Sequence, residues 1–243
     1  MCEACLAAPE PVAAEYFCVA CRTPFLNRSP LDDSGRCALC RLGLAGFDAV
    51  YTFGSYAGAM RALIHLFKFS RISTLARPLG AFLKRALPIE QTFDVIVPMP
   101  LHWRRRWNRG FNQAELLAHE VARRSATPVR NLVKRRRATT AQAGLTNAKR
   151  RANVQGAFKI KPGVRLNGQR VLLVDDVFTT GATAAACARA LKRAGAAHVT
   201  LLAVARTDRR EFLSYQPELH FERTAEVQPL CANQETTSAG AGS

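Results

Sequence analysis

The chain has 243 residues, 48% of them hydrophobic, and carries 35 Lys+Arg against 18 Asp+Glu for a net charge of +17. That apolar content excludes a disordered chain, and no apolar run reaches the roughly 18 residues that a bilayer-spanning helix needs. The N-terminus has no basic stretch leading into an apolar one, so no secretory signal is expected and the setting is read as reducing and cytoplasmic.

Residues 1–46 form a cysteine module. Three Cys-x-x-Cys pairs stand in it: Cys2 and Cys5, Cys18 and Cys21, Cys37 and Cys40. In a reducing compartment this spacing suits zinc better than disulfides. Fifteen residues separate the second and third pairs, within zinc-ribbon spacing. Cys18, Cys21, Cys37 and Cys40 are therefore the expected closed, structural site. Cys2 and Cys5 lack a partner pair and are the weaker candidates. A redox reading fits less well, because no strand–helix pattern surrounds these motifs. Cys187 reads as a small core residue and Cys231 as an incidental thiol.

From Phe47 the pattern changes. "FDAVYTFGSY" has strand character, and "AGAMRALIHLFKFS" places Met60, Leu63, Ile64 and Phe67 at helical spacing. "TLARPLGAFLKRALP" predicts a second helix closed by Pro88. "FDVIVPMPL" is an apolar run fit for a strand buried on both faces. "NQAELLAHEVARR" is an amphipathic helix, and "VRNLVKR" a further strand. Residues 135–158 lack periodicity and read as a long mobile loop of the kind that is usually functional. "RVLLVDD" is a strand, "ATAAACARALKRAG" a helix with Gly195 as its cap, and "HVTLLAVAR" a last strand. Alternating strands and helices predict an α/β fold with parallel crossovers. Residues 47–208 are the expected main domain. Residues 209–243 are a C-terminal extension whose end, from about Thr224, reads as disordered.

Charge is unevenly spread. Between His102 and Arg151 stand fourteen Lys+Arg and two Asp+Glu, which is most of the net charge. Such a cluster attracts polyanions by counterion release. A solvated basic face and a site for phosphate-bearing small substrates are the other readings. Trp103, Trp107 and Phe111 lie among these arginines and suit stacking on unpaired bases as well as core packing. The five histidines form no ligand-spaced cluster, and no catalytic histidine is assigned.

The thirteen residues "VLLVDDVFTTGAT", Val171–Thr183, concentrate the chemistry. A strand that runs through a short loop into a helix builds a phosphate cradle from free N–H groups and the helix dipole. Gly181 lets the backbone bend and approach the anion. Thr179, Thr180 and Thr183 add hydroxyl donors. Asp175 and Asp176 would repel the phosphate itself, so they need a target about one sugar away. A ribose diol fits, as does a magnesium ion bridging the diol and a pyrophosphate. Neither the G-x-x-x-x-G-K-[ST] nor the G-x-G-x-x-G pattern occurs. The plain alternative is a strand–turn–helix with capping Asp and Thr.

This stretch resembles the phosphoribosyl pyrophosphate (PRPP) motif of type I phosphoribosyltransferases. "PMPLHWRRRWNRGFNQAELLA", "QAGLTNAKRRANVQGAF" and "LIHLFKFSR" resemble the ComF family, which includes competence proteins and the GntX group. The resemblance covers about residues 1–206. It implies a type I phosphoribosyltransferase-like parallel sheet with flanking helices, preceded by a small four-cysteine zinc ribbon. It also implies a link to uptake of single-stranded DNA in natural transformation, with PRPP, single-stranded DNA and a DNA-uptake helicase as partners. In that reading Asp175 and Asp176 hold the ribose hydroxyls, with magnesium. Thr179, Thr180, Gly181, Ala182 and Thr183 wrap the 5′-phosphate. The end of the strand at "VPMPLH" is where related enzymes form their pyrophosphate loop. Arg104, Arg105 and Arg109 face pyrophosphate or DNA, and the loop around Lys149, Arg150 and Arg151 is the lid. Relatives often carry four Cys-x-x-Cys pairs, and this chain has three. Either an upstream knuckle has been lost or the true start lies further upstream, and a full second zinc site is not expected.

Two functions follow from this reading. One is a PRPP-binding protein with a single-stranded DNA surface, for which Arg104, Arg105, Arg106, Arg109, Lys134, Arg135, Arg136, Arg137, Lys149, Arg150 and Arg151 are the candidates. The other is an active phosphoribosyltransferase without a DNA role, whose acceptor no residue names.

Overall fold

The structure, a computed structural model, describes residues 6–25, 27–28, 30–102, 107, 110–123, 125–136 and 156–207. The expected parallel sheet is its centre. Four strands, β3 (Ala49–Ser55), β4 (Val95–Pro98), β7 (Arg170–Phe178) and β8 (His198–Arg206), pair all-parallel in the order β3-β8-β7-β4. Val129 adds one parallel bridge beside Ile96, at the outer side of β4. A smaller antiparallel hairpin joins β5 (Val133–Arg135) to β6 (Phe158–Ile160). In the cysteine module β1 (Tyr16–Phe17) pairs antiparallel with β2 (Pro24–Phe25).

Period-2 alternation explains why the strands read as continuous apolar runs. Val171 and Leu173 face one layer, whereas Leu172 and Val174 face the other. Val95 and Val97 oppose Ile96 in the same way. Both faces are covered, so both parities are mainly apolar. One face carries α2 (Gly58–Phe69), α3 (Ala76–Ala86) and α4 (Gln113–Ala122). The other carries α5 (Ala182–Arg193), the β5–β6 hairpin and the cysteine module with its short helix α1 (Ala38–Arg41). Met60, Leu63, Ile64 and Phe67 form the buried stripe of α2, as their spacing predicts. Burying a side chain such as Ile64 or Phe67 completely contributes roughly 1.5–3 kcal/mol. Pro78 falls in the first turn of α3, where a missing N–H costs no helical hydrogen bond.

Two Phe-Asp dipeptides set the register. Asp48 donates its N–H to the Val199 carbonyl (2.8 Å) and accepts the Val199 N–H at Oδ2 (2.7 Å). Asp94 does the same with Arg170, at 2.9 and 2.7 Å. Each carboxylate thereby fastens the start of a strand to its neighbour, and a slip would leave it without that partner.

Three differences from the sequence reading bear on function. The strand read as "RVLLVDD" continues to Phe178: beyond Val174 it has lost β4 as a neighbour but still pairs with β8, Asp175 with Ala203 and Phe178 with Arg206. Phe158–Ile160 is a strand, although the sequence pattern puts it at the edge of the long loop; its pairing with β5 is non-local and leaves no period in the sequence. Arg135 and Phe158 are register partners, so the two ends of the expected loop are joined. Residues 137–155 of that loop, and the whole extension after Thr207, lie outside the described residues.

Candidate sugar-phosphate site and cysteine centre

The site forms where β4 stops and β7 continues. Pro98 is the register partner of Val174, and Met99 still donates to the Val174 carbonyl (2.8 Å). One residue later the chain turns away and leaves Asp175 and Asp176 at the open end of the sheet. Asn112 ties this departure down. Its Nδ2 donates to the Met99 carbonyl (3.1 Å), while its Oδ1 accepts the Ala114 N–H and caps α4. His102, in the segment expected to be the pyrophosphate loop, is buried.

Asp175 and Asp176 are both half-buried. Asp175 Oδ1 accepts the Asp176 N–H at 2.9 Å. Lys68, from the last turn of α2, places Nζ 2.9 Å from Asp176 Oδ1. Burial, and after it the charge of Asp176, push the Asp175 carboxyl up to about 7, with Lys68 and Arg135 pulling the other way. The site thus combines two acids with one ion-paired cation, Lys68. Cys187 is fully buried in α5, and its thiol is pushed up by burial and then by Asp175. That fits a core residue and not a nucleophile.

The loop Thr179–Thr183 follows directly. Gly181 has φ +75° and is the residue before α5. A left-handed residue at that point turns the strand end into the helix start. The Ala182 N–H approaches Thr180 Oγ1 at 3.5 Å, where α5 begins.

Lys68 is the site residue that sequence reasoning missed. The signal was present: it stands four residues after Ile64, at the margin of the buried stripe, so it points toward the sheet end and not to solvent. Of the basic candidates, Lys134 and Arg136 are exposed on β5 and its continuation, whereas Arg135 turns inward over the Phe158 ring, 5.5 Å from its centroid. Arg104, Arg105, Arg106, Arg109, Arg137, Lys149, Arg150 and Arg151 lie outside the described residues, as does Trp103. Trp107 is 83% exposed, while Phe111 packs against Phe67 with ring centroids 5.6 Å apart.

The cysteine centre is equally defined. The Sγ atoms of Cys18, Cys21, Cys37 and Cys40 all lie within 4.8 Å of one another. Cys21 and Cys37 are 3.7 Å apart, close to the ~3.8 Å that a tetrahedron with zinc–sulfur bonds of about 2.3 Å requires. The Cys37 N–H donates to Cys18 Sγ (3.3 Å). The hydrogen bond from Cys21 is the main reason the Cys37 thiol is pushed down to about 5, while Cys21 itself is pushed up. Burial pushes Cys40 up to about 12. Four convergent soft ligands, one already favouring thiolate, fit a closed zinc site; zinc would supply cross-links here and no open position for chemistry. Cys2 and Cys5 lie outside the described residues.

Comparison with known proteins places the chain among phosphoribosyltransferase-domain and competence proteins. The family model described as "Phosphoribosyl transferase domain" matches residues 112–225. The DNA utilization protein YhgH of Escherichia coli K12 is 36% identical over 178 residues, covering 70% of this chain and 78% of that protein. Competence protein F of Haemophilus influenzae is 34% identical over 180 residues with the same coverage. Competence protein ComFC of Streptococcus pneumoniae is 29% identical over 158 residues, covering 65% of this chain and 67% of its own. Among solved structures, the glutamine PRPP amidotransferase from B. subtilis complexed with ADP and GMP matches with 22% identity and a TM-score of 0.36; 52% of this chain spans 25% of that one. Among the described residues, no helix is long and apolar enough to cross a membrane.

Proposed function

The chain belongs to the ComF family of competence and DNA-utilization proteins, and on that premise we propose that it binds magnesium-PRPP at the end of β7 and single-stranded DNA along its arginine-rich surface, acting in DNA uptake. The observation that carries the sugar-phosphate half is the order of parts within nine residues: two carboxylates, a left-handed glycine, then a helix N-terminus.

Each part has one task. Backbone N–H groups of Thr179–Thr183, with the threonine hydroxyls, hold the 5′-phosphate at the positive end of α5. Asp175 and Asp176 accept hydrogen bonds from the two ribose hydroxyls. Two carboxylates are a hard oxygen donor set that fits magnesium, which when bound supplies charge neutralisation for pyrophosphate. Lys68 compensates the charge of Asp176 in the free protein, so the acids persist at the mouth of a closed core. The arginines after His102 would meet pyrophosphate, or DNA passing over it.

The DNA half rests on charge. Lys134, on β5, and Arg136, just after it, stand exposed where the chain enters the basic loop. The acidic pair repels phosphodiesters, so DNA would track the arginine surface and avoid the cleft. An active phosphoribosyltransferase is the second reading, favoured by the same intact cradle, with catalysis by stabilisation of the departing pyrophosphate.

Calorimetric titration of magnesium-PRPP tests the site. Asp175→Asn with Asp176→Asn should weaken binding while the fold, read by circular dichroism, stays intact; wild-type affinity in that variant contradicts the diol role.

A further inference from the structure

The cysteine module is docked on the phosphate loop, and the seam between them has a specific contact. Leu39 stands between Cys37 and Cys40, within α1. A Cβ placed on Gly181 would lie 2.7 Å from Leu39 Cδ1 and 2.9 Å from Phe178 Cζ. The Leu39 methyl therefore fills the space that a side chain at 181 would need. Phe178, in turn, packs edge-on against Phe47, with centroids 6.1 Å apart. A narrow crevice continues the seam, with Phe25, Cys37 and Leu39 on one wall and Phe178, Thr179 and Thr180 on the other. Arg206, at the end of β8, closes it by lying over the Phe25 ring at 4.8 Å.

The module's tail grips α5 as well. Gly46, at φ +68°, would place a Cβ 3.0 Å from the Ala185 carbonyl oxygen, and Arg189 donates to the Leu44 carbonyl. The module thus touches both the loop and the first turns of the helix that completes the cradle.

We propose that Leu39 is a positioning residue of the phosphate loop: the metal-bound cysteine module presses Leu39 onto Gly181, so that zinc occupancy sets the order of Thr179–Thr183 and, through it, the affinity for a 5′-phosphate. The phosphate part rests on the function proposed above; the bracing of the loop does not. The physical reason lies in α1. It has four residues, far below the length at which a helix holds itself together in water. Its shape depends on Cys37 and Cys40 at its two ends being held to Cys18 and Cys21. Leu39 is between those two anchors and inherits their rigidity. A loop that must present several N–H groups to one anion gains from such bracing, because misplacement by about 1 Å can cost a hundredfold.

The experiment follows amide hydrogen exchange of the ligand-free protein across Thr179–Ala184, with zinc content measured on the same samples and magnesium-PRPP titrated in parallel. Leu39→Ala should keep its zinc and speed exchange of the loop amides about tenfold, as expected for loss of a local constraint. Exchange in Val171–Val174 should stay as in wild type. PRPP affinity should fall by a similar factor, and Leu39→Met should restore both. Wild-type protein stripped of zinc by a chelator should exchange its loop as fast as Leu39→Ala, and recover on zinc addition. Unchanged loop exchange in zinc-loaded Leu39→Ala overturns the proposal. If Leu39→Ala loses its metal, the stripped wild type decides: a loop as protected as in the loaded protein overturns the proposal, and a faster one sustains it. If wild type binds no PRPP yet the loop responds as described, the PRPP reading fails and the bracing role stands.

Discussion

Lys68 Nζ lies 2.9 Å from Asp176 Oδ1, and both side chains are only 15% exposed. A helix on one face of the sheet thereby supplies the counter-charge for an acid at the sheet's end. At this depth the pair is screened less than a surface ion pair, so each partner governs how the other behaves toward ligands.

The first consequence is a pH dependence near neutrality. Asp175 is held up to about 7, chiefly by burial. The folded protein therefore binds a proton that the unfolded chain releases near pH 4. Stability of the free protein should fall as pH rises from about 4 to about 7. Magnesium-PRPP needs the carboxylate, so its binding should strengthen as pH rises through 7 and should release a proton. Calorimetry at pH 6.5 in buffers of different ionisation enthalpy measures that release. Lys68→Met removes a charge that lowers the Asp175 value, so the midpoint should move upward; Asp175→Asn should abolish the effect.

Gly181→Ala should be costly on two counts. Its φ of +75° disfavours any side chain, and the new methyl would meet Leu39 and Phe178. A loss of about 1–3 kcal/mol in stability is expected from the backbone alone. Chemical denaturation reads the stability, and a PRPP titration reads the cradle. A variant as stable as wild type would show that the loop can turn another way.

The four convergent cysteines, as a closed zinc site, should hold about one zinc per chain. Cys37→Ala should lose it and destabilise the module, because the remaining three thiolates no longer close the tetrahedron. Cys2→Ala should keep it. Metal analysis of both variants settles the ligand set, and full retention in Cys37→Ala excludes it.

The proposed DNA surface makes a salt prediction. Changing Arg104, Arg105 and Arg106 together to Ala should weaken single-stranded DNA binding and flatten its salt dependence. Each lost phosphate contact should reduce the slope of log affinity against log salt by about 0.7. Fluorescence anisotropy with a labelled oligonucleotide at several salt concentrations provides the slope. An unchanged slope and affinity would place DNA elsewhere.

Much of this arrangement was legible in the residues. Val171–Val174, Val95–Val97 and Val199–Val204 read as strands because a sheet covered on both faces favours apolar residues on both parities, Thr200 being the one polar residue in these runs. Gly181 and the acidic pair stood out because backbone conformation and charge are local properties. Cys18, Cys21, Cys37 and Cys40 were legible because ligand spacing is itself a geometric statement. Three features were not. The extension of β7 to Phe178 depends on β8 outlasting β4. The pairing of Phe158–Ile160 depends on a distant partner. Leu39 looks like any knuckle residue until the module is seen lying on Gly181. Lys68 falls between the two groups: its helix position hinted at the sheet end, but only the fold brings Asp176 there.

The sugar-phosphate cleft and the DNA surface should be separate sites. Titration of magnesium-PRPP and of single-stranded DNA against wild type and Asp176→Asn decides whether they are. Loss of a hydrogen bond to a charged acceptor typically costs about 1.5–3 kcal/mol, or roughly tenfold to a hundredfold in affinity. PRPP binding to Asp176→Asn should weaken by that factor, while DNA affinity and its salt slope stay at wild-type values. PRPP bound as tightly by Asp176→Asn as by wild type, or DNA affinity lost together with PRPP affinity, would refute that separation.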